Sequence, residues 1–243
     1  MFALIAFFGW GTADVFGGIV ARKIGGYSSA FWTYVISIAV ATAYIPFSLH
    51  HFNNITLESI IWLIILTPIG VVPLITLYEA IKVGNASVAG TIAGSFGALV
   101  VLLSVVFLGE KITLAQVLTI AVISLGLILS SLDFSKLKAK QLLLDKGIPL
   151  ALISFVTWGI YFTFVKIPIN NIGWFWPAYL SWWSFPLVFL FMKVKSIPLR
   201  FPKSRKYRIF TVVNALILTI ALFSYNFALA NGLSLFSYKM SLK

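Results

Sequence analysis

Cysteine is absent from the 243 residues, which removes disulfides, thiolate chemistry and cysteine-ligated metals from consideration. Charge is scarce. Asp and Glu number 6, Lys and Arg 18, and together they make up 10% of the chain, against about 25% in a soluble domain. Histidine occurs only as the adjacent pair His50 and His51, without the i, i+4 spacing that turns two imidazoles toward one metal. The sequence has no H-E-x-x-H, G-x-S-x-G or P-loop pattern, so hydrolase, metalloprotease and nucleotide chemistries have nothing to rest on. Gly9, Gly11, Gly17 and Gly18 lie inside an apolar helix and follow no strand, as a dinucleotide loop would require. The chain therefore reads as a non-enzyme with no cofactor and no metal.

What remains is apolar. Hydrophobic residues make up 60% of the chain and the mean hydropathy is +1.03. The runs are long and continuous, without the alternation of a membrane barrel, so the fold class is an all-α polytopic helix bundle. A bilayer-spanning helix needs about 20 apolar residues. Eight segments qualify, at about 2–21, 29–49, 59–81, 87–108, 113–132, 148–167, 173–192 and 209–231. Pro68 and Pro73 should kink the third, Pro177 and Pro186 the seventh. Trp174, Trp176, Trp182 and Trp183 are expected as anchors at the membrane interface. The start of the chain lacks a basic n-region and an A-x-A site, so it does not read as a cleavable signal.

The net charge of +12 does not indicate nucleic acid, because the basic residues sit between apolar runs and read as topology determinants and contacts to lipid headgroups. Breaks after the first, third, fifth and seventh spans hold 14 of the 18 Lys and Arg. By the positive-inside rule this side is cytoplasmic and the N-terminus faces out.

The sequence repeats itself. Ala3-Leu-Ile-Ala-Phe-Phe-Gly-Trp-Gly11 recurs as Ala151-Leu-Ile-Ser-Phe-Val-Thr-Trp-Gly159, an offset of 148. At the same offset Phe16 falls on Phe164, Ala30 on Ala178, and the run Ala80–Gly84 on Ala228–Gly232. The predicted organisation is a five-helix repeat over 1–132, a basic linker over 133–147 and a second copy over 148–243. Five spans per copy force the second into the membrane upside down, an inverted repeat. A complete second copy would reach about residue 280, so the second repeat is expected to be truncated after its third helix.

Several residues are candidates for a substrate or proton path. Asp14 lies about 18 Å along the first span, taking about 1.5 Å per residue. A carboxylate at that depth costs at least ~2.5–3.5 kcal/mol and should face a cavity or be protonated. It is either a proton-coupling or amine-binding group, or a structural carboxylate paired with a lysine or helix end. Trp10 shares its face at i, i+4 spacing, and Trp158 is the repeat mate of Trp10. Glu79, next to Tyr78, is either an ion-pair anchor with Lys82 or an ionisable group at a cavity mouth. Tyr225 and Asn226 occupy the matching region of the second copy. Ala86, Gly90, Gly94 and Ala98 form a ladder of small residues, as do Ala89, Ala93 and Gly97, which predicts close helix packing. Thr91 and Ser95 on that helix are candidates to line a path. Glu110 marks a structural turn and could cap the helix that follows.

Tyr78-Glu-Ala-Ile-Lys-Val-Gly-Asn-Ala-Ser-Val-Ala89, Leu108-Gly-Glu-Lys111 with Gln116 after it, Ser124-Leu-Gly-Leu-Ile-Leu129, and the Trp10-Gly11 and Trp158-Gly159 pairs together resemble the drug/metabolite transporter superfamily, in particular EamA-type transporters. The resemblance implies two five-helix units in inverted orientation around a central cavity between the first, third and fourth helices and their repeat mates. It also implies transport of small metabolites or drugs, often by proton exchange. Gly97 stands near a position where such proteins commonly carry proline, and the second Leu-Gly-Glu turn is absent. The function expected is therefore secondary transport of small organic molecules by alternating access, proton-coupled or facilitative, in the plasma membrane. The alternative is an inactive truncated product or a non-transporting membrane scaffold. The partners implied are a small-molecule substrate, protons and membrane lipids; the reading admits a homodimer and excludes nucleic acid.

Overall fold

The computed structural model describes residues 1–131 and 145–240, and every regular element in it is helical. Most of the predicted basic linker therefore lies outside the described residues. α1 spans Phe2–Ile24 and α2 Gly26–Thr42. A short turn α3 (Ile45–Ser48) and a 3-10 segment (Leu49–Asn54) lead to α4, Leu57–Val83. α5 (Ala86–Gly94) and α6 (Phe96–Leu108) form one span broken at Ser95, and α7 covers Leu114–Ser131. After the linker come α8 (Gly147–Phe164), α9 (Lys166–Ile172), α10 (Phe175–Trp182), α11 (Phe185–Val194) and α12 (Arg205–Met240). Among the described residues, six helical stretches are long and apolar enough to cross a membrane. The chain is a multi-pass, all-α membrane protein.

Local chemistry sets the boundaries. The Thr56 side chain accepts from Ser59 N at 3.2 Å and starts α4. Asn85 accepts from Ser87 N at 2.9 Å and starts α5. Such side-chain caps satisfy amides that have no partner within the helix. Thr113 and Gln116 cap α7 reciprocally: Gln116 Oε1 accepts from Thr113 N at 2.8 Å and Thr113 Oγ1 from Gln116 N at 3.3 Å. Glu110, expected at this cap, is engaged elsewhere.

The second predicted span overruns: α2 stops at Thr42, and Pro46 opens a new turn. The sixth extends beyond 167 to Ile172, with a break at Val165. Pro168 removes one amide and crowds the carbonyl four residues earlier, which accounts for the break. Pro186 sits at the start of α11 and divides the seventh span, while α4 runs on through Pro68 and Pro73. At Ser95 the hydroxyl donates back to Thr91 O at 2.7 Å, the bond by which serine loosens a helix.

The helices pair reciprocally. α1 packs along α12, and α4 packs along α8. An added Cβ on Gly9 would lie 2.8 Å from Ala221 Cβ, and one on Gly70 would lie 2.8 Å from the Tyr161 ring. At Gly9 the backbones approach closely because both contact residues are small, and at Gly70 the missing side chain leaves a seat for the Tyr161 ring. The sequence offset of 148 recurs in the element bounds: α4 begins at Leu57 and α12 at Arg205. Gly25 and Gly173 both turn the chain with positive φ, +92° and +76°, a region open to glycine at no steric cost.

One end of the bundle gathers the basic breaks. Arg22 Nε donates to Ile81 O at 3.2 Å, and Lys23 lies over the Tyr207 ring at 5.8 Å. Asp145 accepts from Asn85 N and Gly147 N at 2.9 and 2.7 Å. The segment after α11 docks on α2, where Trp32 Nε1 donates to Arg200 O at 3.0 Å.

Candidate functional site

The pairing of α1 with α12 and of α4 with α8 leaves a cavity of about 800 Å³ that opens outward past the exposed Phe7, Phe8, Gly94 and Gly97. Much of its wall is aromatic. Trp10 of α1 is the centre, with ring centroids 5.2 Å from Tyr225, 5.3 Å from Phe162 and 6.1 Å from Phe96. Phe96 stacks on Phe162 at 5.0 Å and meets Trp158 at 5.4 Å. Phe162 meets Tyr225 at 4.9 Å. Most of these rings meet tilted or edge-to-face, as their quadrupoles favour.

Asp14 lies in the same wall, one helical turn beyond Trp10, and among the described residues is the one Asp, Glu, Lys, Arg or His lining the cavity. Among the described residues its carboxylate receives no hydrogen bond or ion pair. Behind it is a buried polar group. Tyr78 is fully buried and packs its phenol against Gly17 of α1. Asn214 Nδ2 donates to Tyr78 Oη and to Thr33 Oγ1, both at 2.9 Å. Gly17 makes room for this arrangement, since a Cβ there would sit 2.0 Å from the phenol oxygen.

The cavity thus collects Trp10, Asp14, Trp158 and Tyr225 from the residues singled out in the sequence, together with Gly90, Gly94 and Gly97. The glycines correct an expectation. A Cβ on any of the three would meet nothing within 4 Å, so they widen the cavity and seat no neighbouring helix. Close packing occurs one face over, at the fully buried Ala89 and Ala93; Ala86 and Ala98 are half-buried.

The other candidates lie outside the cavity wall. Glu79 Oε1 accepts from Gly26 N at 2.6 Å and Tyr27 N at 3.4 Å, closing the start of α2, while Oε2 accepts from Lys82 at 2.9 Å. Asn226 is buried and donates to Trp174 O at 3.0 Å. Thr91 and Ser95 are half-buried and bond locally. Trp176 and Trp182, expected at the interface, are core residues at 5% and 2% exposure; Trp176 Nε1 donates to Ser48 O at 3.0 Å.

Glu110 accepts from Lys166 Nζ at 2.8 Å, and the same nitrogen donates to Ser104 Oγ at 2.9 Å. This pair ties the end of α6 to the start of α9. Lys166 went unremarked in the sequence, although a lysine inside a predicted span is itself a signal. Phe162 and Phe96 were also missed. Phe162 was in reach, because it is the repeat mate of Asp14.

The family model of the EamA-like transporter family matches residues 1–132. No curated protein matches the chain.

Proposed function

Because the chain belongs to the EamA-like transporter family, we propose that it is a secondary carrier that moves small organic molecules across the plasma membrane by alternating access. Two inverted units, meeting through α1–α12 and α4–α8, rock about the cavity between them. Asp14 takes up and releases the coupling proton. The observation that carries the reading is a cavity whose wall holds a carboxylate, Asp14, with no hydrogen bond or ion pair among the described residues. Such groups are costly in lipid and mark ion or substrate routes. The breaks at Ser95, Val165 and Trp183–Ser184 support it further, since irregular backbone at membrane depth is tolerated where it borders protein or a cavity.

The test is flux in proteoliposomes under an imposed pH difference, screening small organic solutes. Wild-type protein should show solute movement that dissipates the gradient. Asp14→Asn should abolish the proton-linked component. Flux with an unchanged pH response in Asp14→Asn would remove the proton role. Absence of any flux from well-folded protein would favour the scaffold reading.

A further inference from the structure

We propose that Asn214, bonded to Tyr78 and Thr33, is the gate that holds the cavity shut toward the basic end of the bundle. These bonds part each time the cavity opens to that side. The proposal rests on the carrier reading and names the side chains that control access to that same site.

Position comes first. The members of this group sit one helical turn below residues of the cavity wall. On α12 Asn214 precedes Leu218, and on α4 Tyr78 follows Leu74. On α1 Gly17, against which the phenol packs, follows Asp14. Thr33 of α2 is next to Tyr34, another wall residue. The group is therefore the floor of the cavity. Below it Val20, Ala21, Ile24 and Ile81 are buried, whereas above it α1 is exposed at Phe7, Phe8, Gly11 and Thr12. The cavity opens above this floor and is packed shut beneath it.

Bonding comes second. Asn214 is buried, and its Nδ2 donates to Tyr78 Oη and Thr33 Oγ1. Thr33 donates in turn to Ser29 O at 2.8 Å, and Ser29 Oγ to Gly17 O at 3.2 Å. Four helices are thereby tied at one level. In the two-unit reading Asn214 belongs to the second unit and the other members to the first, so its bonds cross the surface on which the units rock. In the closed form these groups pair with one another, and in an opened floor water takes the partner's place. Removing one of them therefore penalises the closed form alone.

This bond set has no counterpart at the opposite end. At the offset of 148, Tyr78 corresponds to Asn226 and Asn214 to Leu66. Asn226 Nδ2 donates instead to Trp174 O at 3.0 Å, and its Oδ1 has no partner among the described residues. The closure is made at the basic end and unmade at the other, as in a carrier facing away from its basic end.

The experiment uses the full chain, which has no cysteine. Leu74→Cys places one thiol in the cavity wall, one turn above Tyr78. Its reaction with impermeant sulfonatoethyl methanethiosulfonate is timed in intact cells and in inside-out vesicles. A parallel Lys203→Cys sample marks which preparation exposes the basic end. The Leu74→Cys thiol should react about tenfold or more slowly from the basic side than from the other. Adding Asn214→Ala, which removes both bonds, should raise the basic-side rate by about tenfold. Thr33→Val and Tyr78→Phe keep the packing and remove one bond each, and either should raise that rate by about threefold. Glu110→Ala, which loosens the bundle at the other end, should leave it unchanged. Equal reaction from the two sides before any floor substitution overturns the proposal, as do unchanged basic-side rates in the three floor variants. An equal rise in Glu110→Ala also overturns it, since the effect is then general loosening. The carrier reading fails separately: altered sidedness without solute flux in proteoliposomes retires transport and keeps the gate. Flux with no change of sidedness in any variant does the reverse.

Discussion

Glycine has two opposite uses in this protein, and single alanine substitutions should separate them. At Gly17 a Cβ would fall 2.0 Å from Tyr78 Oη, so Gly17→Ala must push the phenol off Asn214 or move α1. Overpacking of this kind costs typically about 1–3 kcal/mol, and a lower melting temperature in detergent should report it. At Gly97 a Cβ meets nothing within 4 Å. Gly97→Ala should melt no lower than wild type, since alanine is the better helix former, while its smaller cavity selects against bulky ligands. The sequence could not distinguish these positions. Both are glycines in apolar helices, and only the partner across the gap, Tyr78 for one and open space for the other, assigns the role. Asp14 was legible because a carboxylate in lipid stands out whatever its neighbours. Its aromatic surroundings were not, because Trp10, Phe96, Phe162 and Tyr225 come from α1, α6, α8 and α12, and periodicity within one helix carries no record of which helices will meet.

At the scale of elements, the Lys166–Glu110 bond is the contact to break. Lys166 is 9% exposed, and the Glu110 side chain is 41% exposed at its end of the pair. Glu110→Ala leaves a buried ammonium with only Ser104 to accept from it, so the bundle should lose stability, by about 1 kcal/mol once solvent screening at Glu110 is allowed for. Adding Lys166→Met should recover most of that loss, because a paired burial is replaced by an apolar one. Thermal melts of the two single variants and the double would show the coupling. Helix starts were readable where a side chain caps them, as at Thr56 and Asn85. Breaks inside spans were harder to read. Pro168 interrupts the helix at Val165 only because the helix continues to Ile172, which hydropathy alone placed outside it. The tryptophans of α10 failed for a related reason: an interfacial belt is defined by depth in the bilayer, and burial among α2, α4 and α12 was invisible along the chain.

The whole molecule is polarised. The basic breaks collect at the end where α1, α4 and α11 finish and α8 and α12 begin, and Lys166 and Glu110 lie away from it, where α6 finishes. Under the positive-inside rule the basic end is cytoplasmic. The chain has no cysteine, so a single Lys203→Cys substitution supplies a unique label in the loop before α12. It should react with an impermeant maleimide in inside-out vesicles and stay unlabelled in intact cells. The reverse pattern would place the N-terminus inside. The offset of 148 was legible because it survives in particular residues, and it recurs in the first residues of α4 and α12. The reciprocal α1–α12 and α4–α8 contacts were not, because symmetry relates positions without stating which surfaces touch.

A chamber with one carboxylate also fixes an electrical property. When the carried solute is itself a monovalent cation that takes turns with a proton at Asp14, each completed cycle exchanges one positive charge for another and transfers none. A membrane potential, which is worth about 2.3 kcal/mol per elementary charge per 100 mV, then does no net work on the exchange, whereas a pH difference drives it fully. Vesicles held at equal pH under a potassium diffusion potential should concentrate no cation. The same vesicles with an acidic lumen should draw the cation in as protons leave.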